Sequence, residues 1–486
     1  MNFSLISLEI SVAVLGIVVL LADLWLPAER RRALGYAAAA ALVLLFINTF
    51  VGQCSCLLDG TTASGMFIQD PLATFFKRFF LLAAALTLVL AVEFSDRIAA
   101  GVSEYFSLTI FALLGMLFAA SANSFVLLFV AIELITVTFY VLVSYTRGKV
   151  ASLESGVKYL ILGALSSAFM VYGIALVWGT TGKFDFTELA AVSSRFADNK
   201  VFLFGVLFVL TGLGFKIAAF PFQMWTPDVY QGAPAPTTAF LAIGSKAAGF
   251  VLLLRFLFVA IPSVLEDWWK LLVIISAITI LYGNLCAIPQ RNLKRLMGYS
   301  SIAHAGYLLL GVAALTGAGQ AAVLYYLSGY LFTTMAAFAV IVIVMRHLDS
   351  EDVSGLAGLN QRSPMLAATL TLAMVSLAGI PPLAGFFGKF LLLKAVIEKG
   401  AMNPAYLVLA VVAIIGVVIS LYYYFGVVRA IYWSKEPADI SPIKMSMPAK
   451  LVIVICVAGI FYLGLFPTKA LNLANEATAV LGLAVR

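Results

Sequence analysis

Apolar residues along this chain come in blocks of about 20, long enough to cross a bilayer as helices. They do not alternate with polar residues in the period-two rhythm of a half-buried strand. The blocks predict about fourteen membrane-spanning helices, near residues 5–26, 34–51, 79–95, 105–121, 124–145, 155–179, 200–223, 237–261, 268–288, 300–317, 320–345, 364–396, 405–433 and 448–467. The polar stretches between them are short; the longest, after the second span, is roughly 25 residues. No folded domain outside the membrane fits there. The expected fold class is an all-α polytopic membrane protein.

Composition then removes several functions. Of 486 residues, 63% are hydrophobic and 11% charged, and the mean hydropathy is +1.07. So few charges cannot cover a water-facing surface, which excludes a soluble enzyme, a disordered chain and a nucleic-acid binder. Cys54 and Cys56 share a loop, where they read as an incidental pair, and Cys286 and Cys456 lie in separate spans. That is neither a disulfide scaffold nor an iron–sulfur pattern. His304 and His347 offer no haem pair. Gly388-Lys389 runs into Phe390 and lacks the rest of a phosphate-binding loop. No metal or cofactor is expected in this chain, and the energy source is expected to be a gradient or a partner.

Basic residues set the orientation. With Arg30, Arg31 and Arg32 placed on the cytoplasmic side, Arg291, Lys294 and Arg295 fall there too, in line with the excess of Lys and Arg in cytoplasmic loops. Both termini then face outward. Glu9 interrupts the first apolar run and no basic residue precedes it, so this run reads as a retained span.

About ten charges fall inside the spans: Glu9, Asp23, Glu133, Lys158, Lys216, Lys246, Arg255, Lys389, Lys394 and Arg429. Arg255, Lys394 and Arg429 lie near span ends and are expected to snorkel. Asp23 is expected to pair with the basic loop. Glu133, Lys216, Lys246 and Lys389 sit near mid-span and must pair or line water. They read either as ion pairs that fix helix packing or as a proton path, because lysine gives up its proton readily when desolvated. A carboxylate moving toward or away from Lys216 would switch that lysine between holding and releasing. Lys158 follows Glu154 by four residues, a favourable helical pair. It reads as a local pair or as part of the path. His304 reads as a buried hydrogen-bonded histidine or as a relay.

Lys216 shortly precedes Pro221, and Lys389 follows Gly379-Ile380-Pro381-Pro382. Proline removes a backbone hydrogen bond, so spans 7 and 12 should be broken. Broken spans in corresponding halves point to a transport site. Glu133 precedes Lys216 by roughly 83 residues and His304 precedes Lys389 by roughly 85, so spans 4–8 and 9–13 read as two inverted five-helix units. The expected organisation is 1–104 for spans 1–3, 105–261 and 262–433 for the two units, and 434–486 for span 14 and the tail.

The segment Trp225-Thr226-Pro227-Asp228-Val229-Tyr230-Gln231-Gly232-Ala233-Pro234-Ala235-Pro236, ending in Ser245-Lys246, carries a resemblance. So do Ile132-Glu133-Leu134, Asn292-Leu293-Lys294-Arg295-Leu296-Met297-Gly298-Tyr299-Ser300-Ser301, and Leu377-Ala378-Gly379-Ile380-Pro381-Pro382 with Gly388-Lys389. Together they resemble the antiporter-like membrane subunits of bacterial proton-pumping NADH:quinone oxidoreductase, respiratory complex I, over the whole chain. Among the L, M and N types, a lysine at 389 and the short tail fit N.

The resemblance implies a gating pair at Glu133 and Lys216, a central carrier at Lys246, an exit residue at Lys389 and a supporting role for Lys158. It implies an inner-membrane location and partners among the other membrane subunits, including subunit M and small membrane subunits. NADH, FMN, iron–sulfur clusters and quinone are expected in partner subunits. The competing reading is a secondary cation/proton antiporter subunit; a third is a scaffold without transport.

Overall fold

The computed structural model describes the chain except residues 1–3, 28–29, 52–59, 63–64, 99–100, 347–350, 434–440 and 483–486. Cys54, Cys56 and His347 lie outside the described residues. Three helices open the chain: α1 (Ser7–Ala22), α2 (Arg31–Asn48) and α3 (Pro71–Phe94). A two-residue hairpin, β1 (Gly60–Thr61) against β2 (Ile68–Gln69), precedes α3. Next come α4 (Val102–Ala120), α5 (Phe125–Val143), α6 (Val150–Thr181), the short α7 (Phe186–Ser193), α8 (Lys200–Ile217) and α9 (Trp225–Gly232). α10 (Ala235–Phe240) and α11 (Lys246–Arg255) form one span, joined by a π-helical turn at Leu241–Ser245. α12 (Trp269–Ala287), α13 (Leu293–Ala313), α14 (Gly317–Met345), the one-turn α15 (Leu359–Arg362), α16 (Pro364–Ala378), α17 (Ala384–Gly400), α18 (Pro404–Trp433), α19 (Met447–Leu465) and α20 (Pro467–Gly482) complete it.

Side chains start many of these helices. Asp70 accepts from the Ala73 amide at 2.7 Å and Pro71 follows it. Ser124, Asn292, Thr316 and Ser446 cap α5, α13, α14 and α19 in the same way. Each cap satisfies a helix donor that lipid could not. Among the described residues, twelve helices are long and apolar enough to cross a membrane. Predicted spans 1 and 12 correspond to shorter apolar pieces, Ser7–Ala22 and Pro364–Ala378, the second continued by α17 after a break.

The centre and rim are distinct. Ala235–Ala260 and Leu293–Ala313 are 94% buried over their most apolar stretch, against 28% for Val150–Thr181. α10, α11, α13 and α14 therefore form the core, and α2, α6 and α18 form the rim. The packing pattern repeats along the chain. α4 packs on α5 as α12 packs on α13, and α6 lies along α8 and α9 on either side of the first break as α14 lies along α16 and α17 on either side of the second.

The tail departs from expectation. Residues after span 14 form α20, which packs back on α3 and α14. Its apolar residues alternate with polar ones on a helical period, too weak a hydropathy signal to read as a span.

Candidate proton path

Both predicted breaks are present, and each is built from a left-handed residue. α8 ends where Ala218 takes φ 62°, and α16 ends where Gly379 takes φ 89°. Freed backbone groups are re-satisfied locally. The Ala219 amide donates to Gly214 O at 2.9 Å, and the Trp225 indole donates to Phe215 O at 3.0 Å. The Phe220 amide donates to Thr279 Oγ1 on α12 at 3.0 Å, which ties the first break to the second half of the chain.

Lys216 occupies the last turn of α8 and is 3% exposed. Its ammonium donates to Thr136 Oγ1 at 2.8 Å. Thr136 lies one turn from Glu133 on α5, whose half-buried carboxylate accepts from the Ser167 hydroxyl of α6. Glu133 and Lys216 are thus neighbours without a salt bridge between them. Small residues allow the next approach: a Cβ at Gly249 would stand 3.3 Å from Lys216 Cγ, and Gly249 lies one turn beyond Lys246.

Lys246 begins α11 directly after the π-helical turn, a distortion common at functional sites. It donates to both the carbonyl and the hydroxyl of Ser301 and lies 5.5 Å from the centre of the Tyr330 ring. Ser301 Oγ is shared with Tyr230 at 2.9 Å and Tyr330 at 3.2 Å. One turn along α13, His304 bonds the Tyr326 hydroxyl through Nδ1 and the Tyr424 hydroxyl through Nε2 at 3.0 Å. Tyr424 also bonds Ser300. A small cavity lined by His304, Tyr330, Ser376, Leu377 and Gly385 has room for about one water, and it leads to the second break.

Lys389 lies beyond that break on α17 but folds back across it. Its ammonium donates to Leu377 O at 2.7 Å and Ala378 O at 3.1 Å, the freed carbonyls of α16. It also sits 4.8 Å from the Tyr307 ring centre. The two lysines therefore serve their breaks from opposite sides: Lys216 before the break, Lys389 after it.

Relatives share this architecture. The family described as "NADH:quinone oxidoreductase/Mrp antiporter, TM" matches residues 122–420. A protein named NADH-quinone oxidoreductase subunit N from Desulforamulus reducens is 39% identical over 476 residues, covering 98% of each chain. The chain belongs to this antiporter-like family. A chain of respiratory complex I from Thermus thermophilus superposes with a TM-score of 0.80 at 31% identity, covering 96% of this chain and 99% of its own. A chain of the Mrp complex from Dietzia sp. DQ12-45-1b has a TM-score of 0.81 at 24% identity, and this chain covers only 52% of it. That second likeness shows the fold alone. As a member of the family, this is a multi-pass membrane protein.

In this family member Lys158 lies apart from the buried string. It pairs with Glu154 at 2.7 Å, as the spacing predicts, and with Asp228 at 2.9 Å, and it is 43% exposed. Asp228 also receives Arg295 Nη1 at 2.5 Å, so it bridges α6 and α13. Burial by itself would push the Asp228 carboxyl up, but hydrogen bonds from Lys158 and Arg295 outweigh it and hold the group below the usual carboxylate range. A depressed carboxylate contributes stability that is full above about pH 4, where the unfolded carboxyl titrates. The contribution is lost as pH falls through the lower folded value. Asp228→Asn is therefore expected to cost about 1 kcal/mol near neutral pH, as screened, partly exposed pairs do. Thermal unfolding in detergent should show the gap from the parent closing in acid. A gap that does not change with pH would mean the bridge contributes nothing.

Several charges behave differently from the sequence expectation. Arg255 does not snorkel: it is 1% exposed and forks onto Asp70 at 2.8 and 3.0 Å, with a third bond to Ala120 O. Lys77, just before the predicted span 3 at 79–95, lies two turns inside α3 and pairs with Glu9 at 2.7 Å with both side chains buried. Other charges follow the expectation: Asp23 pairs with Arg31 of the basic loop at 2.9 Å, and Lys394 and Arg429 are exposed. The tyrosines at 230, 307, 326, 330 and 424 were not singled out from sequence. Tyr307, three residues after His304 on α13, was the available signal; Tyr326 and Tyr330 lie on α14, Tyr230 on α9 and Tyr424 on the rim helix α18.

Gly379 is the left-handed residue of the second break. Its Cβ would stand 2.9 Å from Lys389 Cδ, in a backbone conformation that favours glycine. Gly379→Ala is expected to destabilise the protein by roughly 1–2 kcal/mol and to displace Lys389. Gly379→Asn tolerates the left-handed backbone and should recover part of the loss in thermal melting. Equal melting of all three proteins would remove this account.

Proposed function

We propose that this chain is a proton-translocating membrane subunit of an NADH:quinone oxidoreductase. Protons move along Glu133, Lys216, Lys246, His304 and Lys389, driven by quinone reduction in partner subunits. The observation that carries this reading is the set of four buried lysine and histidine side chains strung between two broken helices, each held by hydroxyls or carbonyls and none by a carboxylate among the described residues. Neutral partners leave a lysine able to release its proton, whereas a fixed counter-charge would hold it.

In this reading Glu133 and Lys216 form the gate. Thr136, one turn from Glu133 on α5, already accepts from Lys216, so a rotation of α5 by a fraction of a turn would exchange the hydroxyl for the carboxylate at the ammonium. Spans 4–8 and 9–13 act as two inverted units, with both termini on the outer side. The chain itself carries no redox step and binds no cofactor; NADH, FMN, iron–sulfur clusters and quinone belong to the partners. Lys158 lends support at the surface through Asp228. The relatives named as oxidoreductase subunit N favour this over the antiporter reading, because they match over the full chain.

Glu133→Ala and Lys216→Ala should each lower coupled pumping about tenfold or more. The measurement is proton uptake into proteoliposomes with quinone reduction followed in parallel. Normal pumping by both variants would refute the gate. Purification without flavin and iron–sulfur subunits would refute the oxidoreductase assignment separately.

A further inference from the structure

A cleft of about 650 Å³ lies away from the proton path. It opens between the end of α12, the turn into α13, the stretch 352–354 and the last third of α18. Two guanidiniums line it, Arg291 from the turn and Arg429 from α18, and both residues are exposed. Among the described residues neither has a carboxylate partner. Asp352, which also lines the cleft, already has its own partner in the chain. Arg291 is held in place by its backbone: Val353 N donates to Arg291 O at 2.8 Å and Leu293 N donates to Glu351 O at 2.9 Å.

The walls below the two arginines are apolar and face outward. Tyr422 is 70% exposed and Phe425 46%. A Cβ at Gly426 would meet nothing within 4 Å, so the groove between α12 and α18 stays open there. Along α18 the outward stripe runs Val408, Val411, Ile415, Val418, Tyr422 and Phe425 before it reaches Arg429. A helix face that is apolar, then aromatic, then cationic matches the order of acyl chain, interface and headgroup in a bilayer.

We propose that this cleft is a binding site for an anionic phospholipid. Its phosphate accepts from Arg291 and Arg429, and its acyl chains run down the open groove past Gly426. Snorkelling of one arginine needs no cleft; two arginines from separate segments on one cavity do. Basic pockets between membrane helices near the cytoplasmic surface suit such headgroups, and Arg291 belongs to the basic loops that sequence assigns to that side. The volume is in the range of a small-ligand site. A neighbouring subunit would have to bring a carboxylate to the same place, and the test treats that as a competing outcome. The inference is independent of the proton path.

The test is local photo-crosslinking in the intact complex. Phe425 is replaced by benzoylphenylalanine and the complex is placed in nanodiscs of equal dioleoylphosphatidylglycerol and dioleoylphosphatidylcholine. Adducts are identified by mass spectrometry. Phosphatidylglycerol adducts are expected to exceed phosphatidylcholine adducts about tenfold, given two cationic groups at the headgroup. Arg291→Gln with Arg429→Gln should bring the ratio to about one, and Arg147→Gln, an exposed charge elsewhere, should leave it unchanged. An even ratio in the parent, or a ratio indifferent to the double variant, overturns the site. An adduct to protein instead of lipid overturns it in favour of a subunit contact. Loss of the preference in millimolar inorganic phosphate overturns the lipid assignment in favour of a free-anion site.

Discussion

Replacing Lys246 with alanine is expected to lower coupled proton uptake on the order of a hundredfold, the usual weight of a group that must carry a proton. The complex should still assemble, because the ammonium supports no ion pair. Its contacts are the Ser301 carbonyl and hydroxyl and the face of Tyr330, all neutral. Holding a full charge there costs at least several kcal/mol, so a lysine kept only for packing would be poorly placed. Lys246→Arg separates the two roles. Arginine keeps the charge and the donors but does not release a proton at working pH. The expected result is pumping nearly as low as in Lys246→Ala, measured against quinone reduction in the same vesicles. Full pumping by the arginine variant would make Lys246 a fixed charge and remove it from the path.

That lysine was legible from sequence because a charge in a long apolar run is conspicuous. Lys216, Lys389 and Glu133 were legible for the same reason, and both helix breaks were legible from Pro221 and Gly379 to Pro382. What each charge touches was not. Hydropathy gives depth along a helix but not the direction a residue faces, so Arg255 near a span end read as a snorkelling side chain. In the fold it points inward to Asp70, 185 residues earlier in the chain. Lys77 falls just before the predicted span 3 at 79–95, because apolar density alone sets the start of that span too late. The Asp70 cap and Pro71 begin α3 two turns earlier and carry Lys77 into the core. The tyrosine ring around His304 was hidden by another route. Tyrosine counts as apolar in a span, and only tertiary packing brings five of them to one histidine and one serine pair. For Lys216 and Lys389 even the side of the break was legible, since Lys216 precedes Pro221 and Lys389 follows Pro382; that Lys389 folds back onto Leu377 O and Ala378 O was not.

Arg255→Met should be the most destabilising single change outside the path. Breaking a buried pair by removing one partner costs about 3–5 kcal/mol, because the remaining charge is left without compensation. Here the stranded group would be Asp70, 6% exposed, whose carboxylate also caps α3. The pair is fork-to-fork, and the third guanidinium bond holds the end of α4 through Ala120 O. Its loss would loosen the junction of α3, α4 and α11 together, where Lys77 and Glu9 form a second buried pair nearby. The rescue is specific. Asp70→Asn keeps a capping oxygen for the Ala73 amide but removes the charge, so the double variant Arg255→Met with Asp70→Asn should regain most of the loss. Yield of folded protein and thermal unfolding in detergent provide the cycle. If Asp70→Asn fails to rescue Arg255→Met, the cost lies in packing around the arginine stem and in Ala120 O, not in an orphaned charge. If Arg255→Met alone melts with the parent, the pair contributes no net stability.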